Sequence, residues 1–163
     1  TSAASASNSA LQRLLRLKEA RIHYRDGVIT GTEMARRMMF NDVYDEINMN
    51  TFNFVNASFD NLLFRYPTDA EFDAGFAMVE YNNAALLFGI SGQGRDGYLD
   101  ILVNSAEGHE GLVRMFFRSY MGREPSTYES YQLTTGFVAD NDLRRMQRRI
   151  LIGDEYAGLL ADQ

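Results

Sequence analysis

Three glycines in the segment SGQGRDG have a spacing that occurs in nucleotide-binding proteins. Gly92, Gly94 and Gly97 match a dinucleotide fingerprint, in which glycines let the backbone approach a pyrophosphate. A true fingerprint lies between a strand and a helix, and an acidic residue follows about twenty positions later. Here the flanking segments indicate helices, and the stretch from Leu112 to Phe117 holds no acidic residue. We therefore expect a flexible loop between helices.

Two arrangements of carboxylates could also carry chemistry. Asp26 and Glu33 occupy the fifth and twelfth places of a calcium-binding loop, but the first and third places hold an isoleucine and a tyrosine, which leaves too few oxygen ligands. Glu71 and Glu80 could flank a glycosidic bond, although 22 acidic residues make chance pairs inevitable. We predict no catalytic, cofactor-binding or metal-binding residue, and hence no enzyme.

The composition excludes several classes of protein. Among the 163 residues there is no cysteine, which rules out disulfides, thiolate catalysis and iron–sulfur clusters. The net charge of −6 argues against a nucleic-acid-binding protein. The charge is unevenly spread, because residues 10–37 carry seven cations and three anions whereas residues 41–111 carry two cations and twelve anions. Such complementary regions could steer one copy, or one partner, onto another; the alternative is uneven but solvated surface charge.

The elements that must position these residues are helical. In LQRLLRLKEARI the apolar residues Leu11, Leu14, Leu15 and Ile22 share one helical face. The segment TFNFVNASFDNLLFR repeats the pattern with Phe52, Val55, Phe59, Leu62 and Leu63. We predict an all-α fold of seven to nine short helices, built from two helix-turn-helix repeats and a partial third, with little or no sheet. The segment ALLFGI is ambiguous between helix and strand.

Local signals mark where several helices begin and end. Three capping boxes of the form S/T-x-x-E indicate helix starts, namely Thr30 with Glu33, Thr68 with Glu71, and Ser126 with Glu129. Asp140 is the expected cap of the helix in NDLRRMQRRILI, and Gly122 and Gly153 are expected to end helices.

The only two prolines belong to an internal repeat. The pattern F-x5-R-x-P-[ST]-x-x-E occurs at residues 59–71 and again at 117–129, an offset of 58. We predict that each copy is a structural turn between two helices, because proline fixes the turn and the hydroxyl residue caps the next helix. The predicted turn residues are Phe59, Arg65, Pro67, Thr68 and Glu71 in the first copy, and Phe117, Gly122, Arg123, Pro125, Ser126 and Glu129 in the second.

The first ten residues, TSAASASNSA, are small and polar. We expect a tether-like segment over residues 1–10, of the kind that follows a cleaved signal, a lipidated anchor or simple removal of the first methionine, and one all-α domain over residues 11–163. No apolar run is long enough for a transmembrane helix, so any membrane association would use a partner or an anchor outside this chain.

The segments DGVITGTEMARRMMFNDVYDEI, FVNASFDNLLFRYPTDAE and DGYLDILVNSAE, within residues 26–131, resemble the helical domain of phycobilisome linker polypeptides. They also resemble related tandem repeats of unknown function in bacterial surface proteins. Those families close a helix with a leucine–glycine–arginine–x–proline turn, which residues 121–125 match well. Residues 63–67 match it except that Phe64 replaces the glycine.

The resemblance implies a non-enzymatic helical scaffold or accessory subunit that mediates protein–protein assembly. We expect a bacterial cell-envelope complex, outside the cytoplasm, with other protein subunits as partners. The alternative is a phycobilisome-type linker that organises pigment–protein discs in the cytoplasm, and the third possibility is a small enzyme. Tyr120, Tyr128 and Tyr131 are the predicted interaction surface, because a tyrosine keeps a polar tip in water while its ring packs on a partner.

Overall fold

The computed structural model describes the backbone of residues 2–161 and the side chains of residues 7–158. These residues form an all-α chain, as the sequence predicts, with ten helices rather than seven to nine. The helices are α1 Ser2–Arg25, α2 Gly31–Met39, α3 Asp42–Asn48, α4 Thr51–Leu63, α5 Asp69–Tyr81, α6 Gly94–Asn104, α7 Ala106–Met121, α8 Thr127–Asp140, α9 Leu143–Leu151 and α10 Asp154–Ala161. Two short strands, β1 Ala85–Leu87 and β2 Ile90–Gly92, complete the fold. None of the described helices has the length and apolar character needed to cross a membrane.

The chain divides into two compact units, Thr1–Ser105 and Ala106–Gln163. The single domain expected over residues 11–163 stays a prediction. The segment expected as a tether is helical from Ser2 onward, as the first turns of α1. Its role as a tether also stays a prediction, and Thr1 lies outside the described residues.

The first unit is organised around the buried side of α4. Phe54, Val55 and Phe59 are fully buried and share a core with residues of α5, α6 and β1. The hydroxyl oxygens of Ser58 and Tyr98 lie 2.6 Å apart in a hydrogen bond, so the polar end of the buried tyrosine ring is satisfied. A helix packed this tightly leaves one face inside and the other to solvent. Phe52, which has the same helical spacing as Val55 and Phe59, is nevertheless 59% exposed.

The ambiguous segment ALLFGI forms the hairpin of β1 and β2, which pair antiparallel. Its turn residues Phe88 and Gly89 have φ of 53° and 77°, which is the pattern of a turn matched to strand twist. The expectation of a flexible loop between helices at residues 92–97 is wrong, because Gly92 ends β2 and Gly94 begins α6. A Cβ at position 92 would lie 2.6 Å from the Ile101 side chain. Close packing of the hairpin on α6 therefore explains this glycine.

The second unit contains α7–α10. Among the side chains that the structure describes in this unit, the buried ones include Leu112 and Phe117 of α7, Phe137 of α8, and Leu143 and Ile150 of α9. Helix α9 is amphipathic, with these apolar residues inside and its arginines outside.

The helix ends follow the predicted signals with two corrections. Thr68 and Ser126 form complete capping boxes. Thr30 accepts from the N–H of Glu33, but the Glu33 carboxylate instead binds the guanidinium groups of the two arginines that follow it in α2. Asp140 does not cap α9, because it is the last residue of α8. Asp142 caps α9 and accepts from two backbone N–H groups.

Candidate functional site

The first copy of the repeated motif is held together by one arginine. The guanidinium carbon of Arg65 lies 5.2 Å from the centre of the Phe59 ring. Its two terminal nitrogens each donate to a carboxylate oxygen of Glu71 at 2.8 Å, and one also donates to the carbonyl of Tyr66 at 3.1 Å. The same carboxylate accepts from the backbone N–H of Thr68 at 2.7 Å. The hydrogen bonds from Arg65, with those from the cap, lower the pKa of Glu71 to about 2.

The second copy repeats these contacts. The guanidinium carbon of Arg123 lies 4.8 Å from the centre of the Phe117 ring. Its terminal nitrogens donate to the Glu129 carboxylate at 3.0 and 2.7 Å, and the cap at Ser126 is built in the same way. The pKa of Glu129 is lowered to about 2, mainly by the hydrogen bonds from Arg123. One partner is additional, because Glu155 of α10 accepts from Arg123 at 2.6 and 2.7 Å.

The residues between arginine and cap shape the turn. Pro67 and Pro125 immediately precede the capping hydroxyl residues, where proline restricts the residue before it to extended backbone. The residue that directly follows the preceding helix is left-handed in both copies, with φ of 57° at Phe64 and 65° at Gly122. The two copies of the motif therefore make equivalent contacts, and each copy forms the turn of a helix–turn–helix hairpin.

The carboxylates considered for chemistry are held in structural contacts. Glu71 binds Arg65, whereas Glu80 accepts a hydrogen bond from Thr51. Asp26 binds the arginine beside it at the end of α1. In the part of the chain that the structure describes, no three His, Asp or Glu side chains are grouped so that they could hold a metal ion.

The three tyrosines predicted as an interaction surface differ in their surroundings. Tyr128 and Tyr131 are exposed on α8 but line two different grooves of the second unit. Tyr120 is half-buried, with its ring stacked on Phe116 and edge-on to Tyr156. The interaction surface predicted at these three tyrosines stays a prediction.

Helix α1 carries an aliphatic surface. The sequence pattern predicted that these residues share a face but did not predict that the face is exposed. Leu11, Leu14, Leu15 and Ile22 share one face as predicted, yet they are 54%, 37%, 38% and 50% exposed. The helix packs on α2 and α3 through the opposite face, where Ala20 is buried. We call these four side chains the α1 stripe. Lys18 falls within it, and a cation inside an apolar stripe is the signal that could have revealed a solvent-facing surface.

A second apolar surface lies in the same unit, beside α3 and α4. Ile47, Phe52 and Tyr66 are exposed and line a groove together with the carboxylate of Asp60. The exposed side chain of Met49 follows α3. We call this surface the α3–α4 groove. Sequence reasoning missed it because Phe52 keeps the helical spacing of the core residues around it.

Comparison with known proteins returned no match to this chain among protein-family models, curated proteins or solved structures.

Proposed function

We propose that this chain is a non-enzymatic assembly subunit that binds other proteins, with the α1 stripe as its principal contact surface. The observation that carries the proposal is the exposure of four aliphatic side chains on a helix whose opposite face is already packed. Covering an aliphatic side chain of this kind contributes on the order of 1 kcal/mol. Four of them together contribute on the order of 4 kcal/mol, so the charged groups beside them must also contribute to a stable interface.

The chemistry of the charged groups supports the same proposal. Strongly shifted pKa values are typical of catalytic groups as well as of structural ion pairs. Here the pKa values lowered to about 2 belong to Glu71 and Glu129, and both carboxylates are engaged by a helix cap and an arginine. Their hydrogen bonds hold turns in shape, which is what a rigid scaffold requires.

Two settings fit an assembly subunit of this kind. One is a bacterial cell-envelope complex, and the other is an assembly of pigment–protein discs. The resemblance of residues 26–131 to phycobilisome linkers and to repeats of bacterial surface proteins is what favours these two settings. Cell fractionation followed by detection of the chain in envelope or pigmented fractions distinguishes them.

Site-specific photo-crosslinking in the native cell tests the proposal. A photoreactive residue at Leu14 or at Ile22 is expected to crosslink the chain to the same defined protein. Leu86 is the matched control, because it is an aliphatic residue of the same unit with 66% exposure but lies on the hairpin. Absence of protein crosslinks from both stripe positions, or the same crosslinks from Leu86, would contradict the proposal.

A further inference from the structure

The charges around the α1 stripe restrict what can cover it. Between Leu11 and Arg25 the helix carries five cations and one anion. Lys18 and Arg21 are exposed and lie at helical spacing from Leu14, so they border or enter the stripe. A stable partner must therefore offer an apolar surface with negative charge at its edge.

Pairing of two α1 helices does not meet this requirement. Face-to-face contact of two stripes would bring Lys18 and Arg21 of one copy toward the same cations of the other. Like charges placed together at an interface cost several kcal/mol, on the order of what the aliphatic contacts contribute. The symmetric arrangement is therefore disfavoured by the sequence of the helix itself.

The α3–α4 groove has the complementary character. Its exposed apolar residues are Ile47, Phe52 and Tyr66, and its lining also includes Asp60 and the amide side chains of Asn48, Asn53 and Asn56. Glu46, the neighbour of Ile47 in α3, is also exposed.

The cations close to the groove are already paired with carboxylates. Residues 38–64, which include both helices, contain no Lys or Arg. Arg65 binds Glu71, whereas Arg13 and Arg95 bind Asp42 and Asp45 of α3. An apolar helix with basic edges would therefore meet apolar and amide side chains with the free carboxylates of Asp60 and Glu46 nearby.

The α1 helix of the same chain is held elsewhere by its other face. It packs on α2 and α3, and Arg13 forms an ion pair with Asp42 at the start of α3. The stripe faces away from that contact. A groove that suits α1 is therefore available to the α1 helix of another molecule.

We propose that the α1 stripe of one copy docks into the α3–α4 groove of a second copy. This inference rests on the proposed function, since it names the occupant of the surface through which the subunit assembles. The contact joins two different surfaces, so each copy keeps one free stripe and one free groove, and association continues head to tail. The stretch from Leu11 to Arg25 is about 22 Å long at about 1.5 Å per residue, which suits a helix lying along a groove.

A membrane surface is the competing occupant, because basic amphipathic helices also bind anionic lipid. The observation that favours a second copy is the chemistry of the α3–α4 groove, where exposed apolar side chains lie beside the carboxylate of Asp60.

Light scattering on the full chain with two variants tests the inference. Leu14→Glu breaks the stripe and leaves the groove intact. Ile47→Lys, at a residue that is 71% exposed, breaks the groove and leaves the stripe intact. Leu86→Glu is the control for an added charge at an exposed aliphatic residue, and circular dichroism checks that every variant is folded.

The expected results follow from the two-surface geometry. The wild-type chain and Leu86→Glu increase in mass with concentration, and high salt weakens this association because the contact is partly electrostatic. Each of the other variants alone associates about tenfold or more weakly. An equimolar mixture of the two forms a dimer that grows no further, because the intact stripe of Ile47→Lys enters the intact groove of Leu14→Glu.

Each other outcome overturns the inference. Wild-type association by Ile47→Lys would indicate pairing of stripes. A wild-type chain that is monomeric at all concentrations excludes the second copy. If that monomer binds phosphatidylserine vesicles through Leu14, the occupant is a membrane. Crosslinks from Leu14 to a different protein would leave the proposed function standing while refuting the second copy, so the two failures are distinguishable.

Discussion

The turn at residues 59–71 and the turn at residues 117–129 make the same contacts with different outer partners. In both, an arginine packs on a phenylalanine of the preceding helix and binds the capping-box glutamate of the next. In the second, Glu155 of α10 also binds the arginine. The residues shared by the two copies are the ones that build a hairpin. The contact that differs connects one hairpin to a further helix.

The residue that follows the first helix of each hairpin has the same backbone conformation in both turns but a different side chain. Phe64 and Gly122 adopt nearly the same φ, although only glycine does so without strain. The turn therefore tolerates a costly residue when the surrounding contacts fix its backbone. The comparison predicts that variants of shared residues have similar effects in both units, and that variants of unshared residues act in one unit.

The largest expected effect comes from the phenylalanines under the arginines. Phe59→Ala and Phe117→Ala should each destabilise their own unit by about 3–5 kcal/mol, because both rings are almost fully buried. Urea unfolding combined with hydrogen exchange in each unit measures the two losses. A loss below about 1 kcal/mol for only one of them would break the equivalence of the two turns.

A smaller effect is expected at the left-handed glycine. Gly122→Ala should cost about 1–2 kcal/mol from its backbone conformation alone, since a Cβ there meets no atom within 4 Å. Gly158→Ala is the matched control, because a Cβ there also meets no atom but the residue lies inside α10. That control should stabilise the helix by about 0.5–1 kcal/mol. Thermal unfolding that shows the same sign for both variants would contradict the conformational argument.

The lowered pKa values of Glu71 and Glu129 predict that the stability of both turns depends on pH. The pKa of Glu71 is lowered from 4.5 to about 2, so its ion pair stabilises the fold above pH 4.5, and this stabilisation is lost as the pH falls toward 2. Glu71→Gln should remove about 1 kcal/mol at neutral pH, a modest value because the pair borders solvent. It should also flatten the acid side of the stability curve measured by urea unfolding.

Glu129→Gln should change the curve in the same direction but by less, since Glu129 is the more exposed of the two carboxylates. An unchanged acid limb in both variants would show that these ion pairs do not contribute to stability.

The smallest effect should separate the two turns. Glu155→Gln removes the negative charge and one of the two acceptor oxygens from the contact found at Arg123 but not at Arg65, and we expect faster hydrogen exchange in α10 with no change in the first unit. Asp154→Asn is the control, because it removes a neighbouring charge at the start of the same helix. Equal exchange in the two variants would show that the Glu155 contact does not hold α10.

Local features could be predicted because they depend on residues close in sequence. The spacing of Thr68 and Glu71, and of Ser126 and Glu129, identified two complete helix caps. The repeat named Arg65 and Arg123 as turn residues, but their ion pairs with the two glutamates were not predicted. The same reasoning failed where two neighbouring residues could each cap the same helix. Asp140 and Asp142 are both suitable caps by residue type, but α8 continues through Asp140 and the left-handed Asn141 separates it from α9, so Asp142 is the residue that caps α9.

Features that depend on distant packing could not be predicted. The periodicity of Leu11, Leu14 and Leu15 correctly gave one helical face, but spacing does not say whether that face meets the chain's own core. The exposure of Phe52 could not be predicted for the same reason, because its helical spacing matches that of the buried Phe59. Gly92 was assigned to a loop because the packing of a two-strand hairpin on Ile101 leaves no periodic signal.

The account depends most directly on whether the α1 stripe is covered in the native assembly. Because the chain has no cysteine, a single introduced thiol reports on one position. The measurement is the alkylation rate of Leu14→Cys in the native assembly and in dilute purified protein, with Leu86→Cys as the exposed control. We predict that assembly slows labelling at position 14 about tenfold or more while position 86 reacts equally in both states. Equal labelling of position 14 in the two states would contradict the account.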